Sequence, residues 1–130
     1  MFFAAVTWLV LAAEQQCNET KYPRVQIGCW QLLERNVDQN AAVATLKAYT
    51  DAGFTAFDTA DIYGPSESIL GKLRAELGSA VTPKIFTKYV TREATEEEAR
   101  RINSQSRTAL GAVPDMVQFH WCVACRPTQP

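Results

Sequence analysis

Apolar positions along this chain alternate between short continuous runs and stripes at helical spacing. The short runs lie near residues 25–30, 54–58, 85–88 and 116–120. Each is of strand length, and the segments between them carry turn residues and helix caps. In the first, Val25 and Ile27 are expected on one face, with Gly28 allowing close backbone approach. The helical stripes fall between the runs. Asp38 is a natural N-cap for an alanine-rich helix over 39–52, with Val43, Leu46 and Tyr49 (beside Ala42) inward and Gly53 as its stop. Ser66 is expected to cap a second helix whose Ile69, Leu70, Leu73 and Leu77 recur at helical spacing before Gly78. Thr95-Glu-Glu-Glu98 has the capping-box pattern and opens a third helix through Leu110, with Ala99, Ile102 and Ala109 inward. Its acidic run suits a helix N-terminus better than a binding patch.

The order is therefore βα-βα-βα-β. Regular alternation of this kind implies an α/β fold with a parallel sheet and right-handed crossovers. A full (β/α)8 barrel takes about 250 residues, whereas this chain has 130. The expected fold is a partial (β/α)8 TIM barrel of about four parallel βα units, with the C-terminal half missing. Three segments follow: an apolar start over 1–20, the half-barrel over 21–122, and an irregular tail over 123–130.

Polar residues close the strand-like runs, and they are chemically unusual. Asp58 ends the second run, Tyr63-Gly-Pro65 forms the loop after it, Lys88 ends the third, and His120 closes the fourth before Trp121. The C-terminal ends of the strands are where a βα-barrel places its chemistry. Each residue also has a structural alternative. Asp58 could cap its loop, with Asp61 as the alternative carboxylate, and Tyr63 could be a packed aromatic. Lys88 could snorkel to solvent, and His120 could be a hydrogen-bonded core imidazole. Their joint occurrence at successive strand ends favours a site.

The run Asp58-Thr-Ala-Asp-Ile-Tyr63-Gly-Pro-Ser-Glu67, the Thr87-Lys88 pair and His120-Trp121 together resemble the aldo-keto reductases. The resemblance covers roughly Val25 to Trp121, the N-terminal half of that family's barrel. It implies an NADPH-dependent oxidoreductase that reduces an aldehyde or ketone to an alcohol, with Asp58, Tyr63, Lys88 and His120 as the catalytic set. It also places Gly28, Cys29, Trp30 and Asp58 near the cofactor's nicotinamide end, and Trp30 and Trp121 beside the substrate. NADPH rather than NADH is implied by family tendency alone.

Residue chemistry points the same way. Side chains do not donate hydride, so carbonyl reduction needs a nicotinamide. A free phenol has a pKa of about 10, and a nearby ammonium stabilises the phenolate. Lys88 is the candidate ammonium, Asp58 would hold it, and His120 would hydrogen-bond the carbonyl oxygen. The alternative is a non-catalytic fragment or a regulatory, binding version of the same half-barrel.

Composition narrows the rest. At 47% hydrophobic and net charge −1, the chain offers no electrostatic case for nucleic acid. A single histidine rules out a histidine-rich metal site. Cys122-Val-Ala-Cys125 has CxxC spacing, but Pro127 and Pro130 follow it closely and the expectation is a fortuitous pair in a ragged tail. The apolar start, Phe2 to Ala13, is shorter than the roughly 20 residues of a membrane span. It has the length of a signal-peptide core but no preceding Lys or Arg. A cytoplasmic location is expected, with targeting left open by that segment. The expected partner is a small-molecule carbonyl compound, and the open edges of a half-barrel invite self-association.

Overall fold

The computed structural model describes residues 23–33 and 38–122, the side chains of Trp121 and Cys122 excepted. The apolar start, Cys17, Cys125 and the tail over 123–130 lie outside the described residues. Within them run β1 (Ile27–Gly28), a short 3-10 helix (Trp30–Leu33), α1 (Gln39–Asp51), β2 (Ala56–Asp58), α2 (Ser66–Leu77), β3 (Lys84–Thr91), α3 (Glu96–Leu110) and β4 (Met116–Cys122). The strands form one four-stranded sheet in the order β1-β2-β3-β4. Every pairing is parallel. This is the arrangement expected of a partial βα-barrel, in which each strand is followed by a helix that returns the chain to the same end of the sheet.

The core lies between sheet and helices. Phe57 and Ile85 meet Ile69, Leu70 and Leu73 of α2, Val43 and Leu46 of α1, and Leu110 of α3 in one buried cluster. Burying apolar surface on this scale dominates folding, at roughly 25 cal/mol per Å². The helices α2 and α3 cross closely at Gly71, where a Cβ would lie 2.3 Å from the carbonyl oxygen of Ala109. Below the sheet, Asp115 pins the start of β4 to β3. Its Oδ2 accepts from the Ile85 N–H at 2.9 Å and its Oδ1 from Lys84 Nζ at 2.8 Å.

Several elements differ in detail from the sequence expectation, each for a local reason. β1 is only two residues long. The chain leaves the sheet after Cys29, whose carbonyl accepts from the Leu32 N–H at 3.1 Å to open the 3-10 helix. Val25, expected to share a face with Ile27, precedes the strand and is exposed. On α1 the inward positions are Val43, Leu46 and Thr50, while Tyr49 turns outward and packs edge-on against Phe54. Thr50 tolerates burial because its hydroxyl donates to the Leu46 carbonyl at 3.1 Å. Phe54 precedes the strand, and β2 begins at Ala56.

Ser66 does not cap α2. It is the first helical residue, buried, and its hydroxyl shares a hydrogen bond of 2.7 Å with Thr59. Only half of the capping box at α3 forms. Thr95 Oγ1 accepts from the Glu98 N–H at 3.2 Å, while the Glu98 carboxylate turns to Arg101. The C-terminus of α3 is closed by Gly111 in the left-handed region at φ 65°, a conformation glycine adopts without a Cβ clash.

Candidate active site

The end of β2, the loop after it and the C-terminal half of β3 bring three side chains together. Lys88, expected to close its strand, stands within β3, which runs on to Thr91 because it continues to pair with β4. β2 ends at Asp58, paired in register with Phe86 of β3. Lys88, two residues further along β3, lies on the same face, because side chains alternate along a strand. Its ammonium donates to Asp58 Oδ2 at 2.6 Å and to the Thr59 carbonyl at 2.9 Å. The Lys88 side chain is only 14% exposed and that of Asp58 is 32% exposed. This is a shielded ion pair with an added carbonyl acceptor, a stronger arrangement than a surface pair worth about 0–1 kcal/mol.

Tyr63 completes the trio from the following loop. Its N–H donates to the Ala60 carbonyl at 3.1 Å and its carbonyl accepts from the Ser66 N–H at 3.0 Å. These turns bring the ring over β3, with Lys88 Nζ 5.4 Å from the ring centroid. The loop itself is held to β3 by Thr59 N–H to Phe86 O at 2.8 Å and Asp61 N–H to Lys88 O at 3.2 Å. Beneath it, Thr87 donates to Glu67 Oε1 at 2.6 Å, so the buried carboxylate at the start of α2 is satisfied from β3. The spacing Thr59, Ser66, Glu67 and Thr87 thus forms the polar floor on which the tyrosine loop rests.

The remaining expected residues sit around this centre. Gly28 pairs with Asp58, is exposed, and has open space where a side chain would project. The Cys29 N–H donates to the Asp58 carbonyl at 2.9 Å, but its thiol turns into the hydrophobic core. Burial, with the Asp58 charge adding and Lys88 subtracting, pushes the Cys29 thiol up to about 12. Only the Cys29 backbone faces the mouth. Trp30 is 60% exposed at the start of the 3-10 helix. His120 stands exposed near the end of β4, close enough to Asp61 for its charge to be felt there. The Trp121 side chain lies outside the described residues. Among the described residues, no group of three or more His, Cys, Asp or Glu could hold a metal ion, and no helix is long and apolar enough to cross a membrane.

Two contributions were not singled out in the sequence: the Thr59 carbonyl as a second acceptor for Lys88, and the Thr87–Glu67 pair. A carbonyl has no side-chain signature. The pair was hidden because its members are twenty residues apart, on elements whose contact only the fold creates.

A carboxylate, an ammonium and a phenol are gathered towards the C-terminal mouth of parallel strands, the end at which a βα-barrel places its chemistry. The chain belongs to the aldo/keto reductase family, whose model matches residues 24–127. It is 39% identical over 79 residues to aflatoxin B1 aldehyde reductase member 2 of Rattus norvegicus, covering 58% of this chain and 22% of that relative. The Mus musculus protein of the same name is 39% identical over the same length. Among solved structures, an aldo-keto reductase from Klebsiella pneumoniae in complex with NADPH matches with a TM-score of 0.66 and 27% identity, over 77% of this chain and 36% of that one. A thermostable aldo-keto reductase shares the fold with a TM-score of 0.70 at 22% identity, over 84% of this chain and 41% of that one. The chain therefore spans about a fifth of the length of its curated relatives, 22%.

Proposed function

We propose that these residues form the proton-donating half of an NADPH-dependent carbonyl reductase site, acting on an aldehyde or ketone. The observation that carries the reading is the Lys88 ammonium, held 2.6 Å from Asp58 and 5.4 Å from the centre of the Tyr63 ring. When bound, NADPH would supply a hydride to the carbonyl carbon. Tyr63 gives the proton to the carbonyl oxygen, and the product is an alcohol. As the phenol loses its proton, the adjacent ammonium stabilises the charge left behind. Asp58 and the Thr59 carbonyl hold that ammonium in place, so no reorganisation is needed at the moment of transfer. His120, on β4, orients the carbonyl oxygen.

The described residues suit the nicotinamide end of the cofactor. Gly28 leaves open space at the mouth, and Trp30 offers an exposed aromatic face beside it. The NADPH bound to the Klebsiella pneumoniae relative supports the choice of cofactor. The aldehyde reductase relatives support an aldehyde as substrate. The chain reads as the N-terminal half of such a barrel. A second reading, a binding or regulatory chain without turnover, is favoured by the exposure of Phe119 on β4, an aromatic suited to a partner surface.

An NADPH titration followed by tryptophan fluorescence, then turnover with a small aldehyde, tests the proposal. Saturable binding with turnover is expected. Tyr63→Phe should lower kcat by about 10²–10⁴-fold, the usual worth of a positioned acid, with NADPH affinity unchanged. Undiminished turnover in that variant would remove Tyr63 from its role. NADPH binding without turnover in the parent chain would favour the second reading.

A further inference from the structure

Asp61 is the carboxylate that this reading leaves without a task. It stands in the loop after β2, two residues before Tyr63, and its backbone and side chain both bind β3. The Asp61 N–H donates to the Lys88 carbonyl at 3.2 Å. Its Oδ2 accepts from the Val90 N–H at 3.1 Å. One residue thereby satisfies β3 on both sides of Tyr89, along the edge that β2 vacates after Asp58. Thr59 makes the previous step of the same ladder through Phe86. Asp61 makes the next with a carboxylate oxygen in place of a backbone carbonyl. The strand segment held in this way is the one that carries Lys88.

The opposite edge of that segment is irregular. β4 pairs Phe119 with Tyr89 and then Trp121 with Val90, so the ladder slips between Tyr89 and Val90. His120 is the extra residue of the resulting β-bulge, a feature that re-aims side chains and gathers near active sites. Asp61 Oδ1 meanwhile is buried and makes no hydrogen bond. The charged groups facing Asp61 are His120 from β4 and Arg101 from α3. Burial raises the Asp61 carboxyl above its ordinary value; the Val90 N–H, then the Ile62 and Asp61 N–H groups, and last the His120 charge pull against that rise. A buried carboxylate oxygen that no hydrogen bond satisfies, on a residue within the electrostatic reach of an imidazole on a bulge, has an electrostatic task rather than a packing one.

We propose that Asp61 is a positioning residue, clamping the end of β3 beneath Lys88 through one carboxylate oxygen and steadying the bulged His120 through its charge. The inference rests on the functional reading only in calling this mouth catalytic. Its contacts stand whether or not NADPH binds.

The chain's single histidine makes the test direct, since its ring resonances need no assignment. Proton NMR of the 130-residue chain across the acidic and neutral range should show a second inflection in the imidazole shifts. That inflection arises from a carboxylate titrating above the ordinary range. Asp61→Asn should abolish it while the Val90 amide keeps its hydrogen-exchange protection, because the Asn side-chain carbonyl still accepts. Asp61→Ala should lose both, with Val90 exchange about ten-fold faster. An unchanged imidazole profile in Asp61→Asn would overturn the charge coupling. Retained Val90 protection in Asp61→Ala would overturn the clamp. Should the alanine variant fail to fold, loss of Val90 protection in Asp61→Asn at unchanged overall protection would likewise overturn it.

Discussion

Two side chains, those of Lys88 and Cys29, share the neighbourhood of Asp58 and meet opposite fates there. Lys88 reaches the carboxylate directly and is held as a cation by two oxygen acceptors. Cys29 is tied to the same residue through its backbone but buries its sulfur among Val43, Leu46 and Phe57. A thiol pushed up to about 12 from 9.0 carries on the order of a thousandfold less thiolate at neutral pH, and thiolate is the reactive form. Cys29 is therefore expected to resist alkylation in the native chain and to react on unfolding. Peptide mapping after iodoacetamide treatment, with and without denaturant, checks this; rapid native labelling at Cys29 would contradict the burial. The resemblance to the aldo-keto reductases placed Cys29 at the mouth, next to Gly28. It could not say which way the sulfur points, because a chain leaving a two-residue strand escapes strand alternation.

Among the elements, the α2–α3 crossing is the most demanding. Gly71 lies mid-helix, where alanine would ordinarily be preferred by about 1 kcal/mol. Here the propensity argument loses. A Cβ at Gly71 would sit 2.3 Å from the Ala109 carbonyl oxygen and 3.3 Å from Leu110 backbone atoms. Backbone does not yield as a flexible side chain does, so the helices must separate, at a cost of about 1–3 kcal/mol. Gly71→Ala should lower the denaturation midpoint despite its helix-favouring residue. A midpoint equal to or above the parent's would show that the crossing has slack. The same element scale explains which helix faces were legible. Ile69, Leu70 and Leu73 follow one stripe and are buried, whereas on α1 a threonine took the inward place expected for Tyr49 because its hydroxyl is satisfied within the helix.

At the scale of the whole molecule, β4 is the exposed side of the sheet. Met116, Val117 and Phe119 are all exposed, and among the described residues no strand pairs with the outer edge of β4 or β1. Such an edge is a template for pairing with another chain. The 130-residue chain is expected to self-associate as its concentration rises, and Phe119→Lys to shift it toward monomer. Sedimentation velocity over a concentration series decides the matter; a monomer throughout would mean that the edge is protected.

What the sequence determined by itself was the order of the elements, the parallel class of the sheet, and the strands on which Asp58, Lys88 and His120 stand, although only Asp58 ends its strand. Those follow from hydrophobic period, caps and turn residues, which act over a few neighbouring positions. Only the tertiary structure decided that Thr59 and Asp58 together hold the Lys88 ammonium, that Glu67 meets Thr87, and that Asp61 spans to Val90. It also decided that His120 falls where the β3–β4 register slips. These depend on the register between strands some thirty residues apart, and register is set by how the whole sheet packs against its helices.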